Sequence, residues 1–222
     1  NNSVAENDSL DAFLSGSITD AQSRWNLRRL IDAEGKPVEA ELKTLQRLCD
    51  GAGATGDCAS RIAAALVRTW GPAGGGDSKA GAIEPKRLSQ LAWLGIDSDT
   101  LKRLEPLFIL LPDPQAKINV NTASAEVIAA VVDMPLGAAQ RLVQERQRTP
   151  LLNLTAAPAA QFFPPQLTSQ LDAIAGVNSN FFIVQGRLRL EERLLEERSL
   201  VERRDNTQTV RSRERVNLRE GT

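Results

Sequence analysis

The pattern of this 222-residue chain changes character twice, and those changes constrain its fold more than any motif. Near the start, GSITDAQSRWNLRRLI (residues 16–31) alternates at Ile18 and again at Trp25 and Leu27. Turn-forming residues lie between, which predicts a short strand, a turn and a second short extended piece. From Pro37 the apolar residues Val38, Leu42, Leu45 and Leu48 fall three to four apart. Ile62, Leu66 and Trp70 repeat the spacing, so two amphipathic helices are expected. Beyond Gly176 period two returns at Phe182, Val184 and RLRL. The helix propensity of EERLLEER competes there with strand alternation, which we favour, with Asp205-Asn206 as the hairpin turn. The expected fold is α+β: an antiparallel sheet from both chain ends, residues 1–32 and 176–222, with an all-helical domain, 33–175, inserted.

Within the middle, GPAGGGDSKAG (71–81) reads as a flexible connection. A helix is expected from Pro85 through Leu88, Leu91 and Leu94, with Gly95 as its stop. Asp97 or Ser98 caps a further helix ending near Pro106. In KINVNTASAEV (117–127), Ile118 and Val120 are expected to point inward. Asn119, Asn121 or Thr122 would satisfy orphan backbone groups at the helix start that follows. Helices from about Ser124 to Asp133 and from about Ala138 to Arg148, joined by Met-Pro-Leu-Gly, form a helix-hairpin-helix pattern. LSQLAWLGIDSDTLKRLEPLFILLP looks like a looser earlier copy, and one last short helix is expected over 167–174.

The chain has no histidine and no tyrosine. That removes the usual general base near neutral pH, histidine-activated nucleophiles and zinc sites needing imidazole. No pair of carboxylates stands out as a catalytic dyad, so an enzyme is not expected. A net charge of -1 provides no global field for nucleic acid or anionic membranes. No apolar run reaches the roughly 18 residues of a membrane-spanning helix, and NNSVAENDSLDAF lacks the pattern of a signal peptide.

Cys49 and Cys58 frame LCDGAGATGDCAS at the end of one predicted helix and the start of the next. A disulfide there would staple the helix ends, contribute about 2–3 kcal/mol on the chain-entropy model, and require an oxidising compartment. Two free buried thiols are the plainer alternative, disfavoured because a polar loop is a poor place to bury cysteine.

Three features have both a sharp and a plain reading. A helix-hairpin-helix can offer backbone N–H groups to a DNA phosphate, but this turn has only Gly137 after a proline, and packing is the expected role. Asp77, Glu84, Asp97 and Asp99 could supply oxygen ligands to calcium, yet they lack EF-hand spacing, and acidic residues beside helix starts are commonly caps. The Arg/Glu run at 187–204 reads as the solvated face of paired strands, the alternative being a protein interface along a strand edge.

The ordered succession ITDAQSRWNL, IEPKRLSQLAWLGI, LPDPQAKINVNTASAEVIAAVV and NSNFFIVQGRLRL resembles the K minor pseudopilin family of bacterial type II secretion. The family's strand motif corresponds to Asp20-Ala-Gln-Ser-Arg24-Trp25-Asn26-Leu27, with Ser23 where the family has Gly. Its INVNTA junction corresponds to Ile118, Asn119, Val120, Asn121, Thr122 and Ala123. The resemblance implies a pseudopilin fold with a large helical insertion and a non-enzymatic subunit at the pseudopilus tip. It implies assembly with the I and J minor pseudopilins, contact with secreted substrates, and no nucleic-acid partner. The implied location is the periplasm, with an inner-membrane anchor helix that this chain lacks. No cofactor is required, and the family's calcium segment after a Trp is reduced here to Asp77 and Glu84.

Overall fold

The computed structural model describes residues 12–54, 56–71, 84–156, 159–163, 167–190 and 193–219. Two units are distinguished: one joins the residues up to Ala21 with those from Asn180 onward, the other spans Gln22–Ser179.

The first unit is a four-stranded antiparallel sheet in the order β1-β6-β7-β8, made of β1 (Ala12–Asp20), β6 (Phe181–Leu190), β7 (Arg193–Arg204) and β8 (Thr207–Arg219). β1 lies along β6 with Ala12 opposite Leu190 and Asp20 opposite Phe182. Asp205, at φ 51°, makes the tight turn between β7 and β8, a conformation Asp tolerates because its short side chain can bond locally. The β7–β8 register shifts between Leu200 and Val201. The part of EERLLEER from Arg193 to Arg198 is therefore strand rather than helix: pairing with β6 on one side and β8 on the other outweighs a propensity difference of a few tenths of a kcal/mol per residue.

The second unit holds α1 (Glu39–Gly51), α2 (Cys58–Trp70), α3 (Ser98–Leu104), α4 (Ala125–Val132), α5 (Leu136–Arg148) and α6 (Thr168–Ile174). Its core is built by Trp25, Leu45, Ile62, Leu91, Phe108 and Ile118, all buried. Two short parallel pairings stitch distant segments together: β2 (Trp25–Asn26) with β3 (Phe108–Ile109), and β4 (Ile118–Asn119) with β5 (Ala175–Gly176). Trp25 and Phe108 meet edge to face with centroids 5.7 Å apart.

The structure departs from the sequence reading at four places. Residues 22–32 and 176–179, grouped above with the sheet, lie in the helical unit, because Trp25, Leu27 and Leu30 are core residues there and Val177 and Ser179 bond to Asn121 and Asn119. Residues 88–94 form a 3-10 helix instead of an α-helix. Gln90 accepts the Lys86 N–H through its side chain, the turns close on bonds such as Gln90 N to Arg87 O, and Gly95 ends the segment at φ 90°. α5 begins at Leu136, so Gly137 lies in its first turn and the left-handed residue of the hairpin is Asp133. The helix after the junction is capped by Ser124, whose hydroxyl accepts from Val127 N, and not by Asn119, Asn121 or Thr122. Most of the 71–81 connection lies outside the described residues.

Candidate functional site

The strand motif works as a clamp inside the helical unit. Trp25 is fully buried, and its Nε1–H donates to Glu41 Oε2 at 3.0 Å, while Arg29 holds the other oxygen of that carboxylate at 2.8 Å. The buried charge of Glu41 is thus paired and hydrogen-bonded, the condition under which burial is tolerated. Asn26 donates from Nδ2 to the Asp113 carbonyl and accepts from the N–H groups of Leu111 and Arg28. Leu27 is core, Arg24 is half-buried, and Asp20 ends β1. Gln22, which the sequence reading did not single out, donates to the Lys117 carbonyl at 2.7 Å and ties the two motifs together across 95 residues.

The INVNTA junction is a second clamp. Ile118 and Val120 are buried as expected. Asn119 accepts from Asn121 N through its side chain and donates to Ser179 Oγ at 2.9 Å. Asn121 donates to the carbonyls of Leu151 and Val177 and accepts from Leu151 N. Thr122 and Ala123 close a turn on the Asn119 carbonyl, and Ala123 is fully buried. Arg146 donates to the Val120 carbonyl, and burial pushes its guanidinium pKa down. The paired asparagines therefore join three loops, a role the local sequence could not show because Leu151, Val177 and Ser179 come from later segments.

Cys49 and Cys58 form a disulfide between the ends of α1 and α2. Of the four calcium candidates, Asp77 lies outside the described residues and Asp99 pairs with Lys102 at 3.5 Å. Glu84 pairs with Arg28 at 2.7 Å, and Arg28 stacks over Trp70 at 4.3 Å. Among the described residues no three His, Cys, Asp or Glu side chains gather where they could hold a metal ion. Asp97 is a cap, its carboxyl accepting from Thr100 N, and this hydrogen bond holds its pKa below the ordinary carboxylate value. At the helix-hairpin-helix turn, exposed Asp133 pairs with Arg47, and the first turn of α5 carries no basic residue. A phosphate would meet a carboxylate there, which argues against the DNA reading.

The sheet unit has two unlike edges. On the β7–β8 side, Glu197 pairs with Arg213 at 3.2 Å and Arg215 at 2.6 Å, and buried Glu202 is held by Arg204 and Arg211. Desolvation would raise the Glu202 pKa, but the Arg211 and Arg204 hydrogen bonds outweigh it and bring the net value down. β1, the other edge among the described residues, is exposed along its length and uncharged from Ala12 to Thr19.

Residues 118–177 match the family model described as type II secretion system protein K. Type II secretion system protein K of Pectobacterium carotovorum subsp. carotovorum is 28% identical over 215 residues, covering 85% of this chain and 65% of that protein. The chain is thus similar to type II secretion system protein K in this segment and, at lower identity, over most of its length. The family segment closes on itself, since its first residues are β4 and its last include β5, the two strands of one parallel pair. A chain in the crystal structure of the GspK-GspI-GspJ complex from enterotoxigenic Escherichia coli shares the fold. Its TM-score is 0.69 at 18% identity, covering 94% of this chain and 83% of that one. This chain thus has an α+β fold with its helical unit inserted in sequence between the strands of one sheet. The chain spans 65% of the length of the Pectobacterium relative.

Proposed function

We propose that this chain is a non-enzymatic subunit at the tip of the type II secretion pseudopilus, assembling with the I and J minor pseudopilins. The reading is carried by the fold likeness over 94% of the chain to a member of a GspK-GspI-GspJ complex, together with the family match through the INVNTA junction. In this mechanism the sheet unit docks against partner pseudopilins. The helical unit supplies bulk that prevents addition of further subunits, so its work is steric and needs a rigid body, which the two clamps and the disulfide provide. No reacting group and no cofactor is required. The domain faces the periplasm, its full-length form is anchored in the inner membrane, and secreted substrates are contacted at the tip. The oxidising periplasm suits the Cys49–Cys58 bridge. Sedimentation of the chain with the soluble domains of the I and J pseudopilins tests the assignment: a discrete heterotrimer is expected, and three separately sedimenting species would overturn it.

A further inference from the structure

The exposed β1 edge carries a pattern of its own. Edge strands of soluble proteins are ordinarily protected from pairing by charge, proline or a covering element. The β8 side follows that rule with Arg211, Arg213, Glu214 and Arg215, whereas β1 from Ala12 to Thr19 has no charge and no proline. Phe13 is 63%, Leu14 82% and Ile18 71% exposed, on a strand whose inner neighbour β6 is already paired on both sides.

The sequence of this edge is nearly symmetric about Gly16. Ser15 mirrors Ser17, and Leu14 mirrors Ile18. If two such strands meet antiparallel with Gly16 on a two-fold axis, Leu14 of each faces Ile18 of the other and Ser15 faces Ser17. Residues so matched have the same parity along the strand, so outward-pointing N–H and C=O groups meet outward-pointing groups. On the β6 side, Leu14 lies opposite Leu188, and Ile18 lies opposite Val184. The joined sheet would therefore run Leu188, Leu14, Ile18, Val184 in one apolar row, and the symmetry would supply that row twice. Gly16 lies opposite Gly186, leaving the axis free of side chains on both strands.

We propose that β1 is a self-complementary edge through which two copies of this chain pair antiparallel about Gly16, extending the sheet across a two-fold axis. An isologous contact of this kind needs one surface that complements itself, which the Leu14/Ile18 exchange provides. The proposal goes beyond the tip reading and does not depend on it, since it concerns the chain alone.

Sedimentation of the isolated chain across low to high micromolar concentration should show a species of twice the 24.1 kDa monomer mass. Ile18→Lys should abolish that species while leaving unchanged the melting temperature taken at low micromolar concentration, where the monomer dominates, because Ile18 is exposed in the monomer. Register is read by disulfide trapping. Leu14→Cys mixed with Ile18→Cys should cross-link under mild oxidation several-fold faster than either variant alone. A monomer at every concentration, a dimer indifferent to Ile18→Lys, or equal cross-linking of Leu14→Cys with itself would each overturn the proposal. In the first case the edge would be left for a strand from a different protein.

Discussion

Asn121 and Leu151 exchange two hydrogen bonds, side-chain amide to carbonyl and main-chain N–H to side-chain oxygen, each at 2.9 Å. One asparagine thereby imitates the pairing of a neighbouring strand for an isolated, buried leucine in a loop. Asn121→Ala leaves the Leu151 N–H and two carbonyls without these partners, and we expect a loss of about 1–3 kcal/mol in denaturant unfolding. Asn121→Asp keeps the acceptor for Leu151 N and loses the two donors. Its loss should also be measurable, and a wild-type midpoint for both variants would disprove the clamp.

The buried Glu202 carboxylate links sheet stability to pH. Its folded-state pKa lies below the unfolded value, so its contribution is fully present above the ordinary carboxylate range of about 4.3 and is lost as pH falls through the folded value. Glu197, also lowered chiefly by the Arg215 hydrogen bond, acts in the same sense from a half-buried position. Thermal melts between roughly pH 5 and pH 3 should therefore show a steeper decline for the wild type than for Glu202→Gln. Parallel curves would show that Glu202 does not control acid stability.

Reducing the Cys49–Cys58 bridge removes a constraint on a short loop between α1 and α2. A Cys49→Ala/Cys58→Ala variant should lose about 2–3 kcal/mol yet retain its far-ultraviolet dichroism, since α1 also buries Leu45 and Leu48 and α2 also buries Ile62 and Leu66. Reductant should shift the wild-type melt toward that of the variant and leave the variant unmoved.

Calcium should not stabilise this protein. Glu84 is already engaged by Arg28, and only Asp77 accompanies it in the segment from Gly71 to Glu84. Calcium at about 5 mM exceeds the dissociation constants of even weak extracellular sites, of order 10⁻³ M, so a bound ion would raise the melting temperature by mass action. An unchanged melt is expected, and an increase reversed by chelator would restore calcium as a ligand.

What the sequence determined by itself lies where local rules suffice. Period-two and period-3.6 spacing marked strands at both ends and helices between them. Asp97 announced the cap of α3, Gly95 the left-handed stop after Leu94, and Asp205-Asn206 the last hairpin. Each depends on residues within one or two turns of one another, so the pattern carries the physics. The tertiary structure decided the rest. Only the packed unit could draw Trp25 and its neighbours away from the strand that precedes them, because the stability of that segment comes from Phe108, Glu41 and Lys117, far along the chain. The asparagines of the junction looked like caps because capping is the nearest use for them. Their actual partners at Leu151, Val177 and Ser179 arrive only when distant loops close, and a side-chain amide satisfies whichever buried backbone groups the fold places beside it.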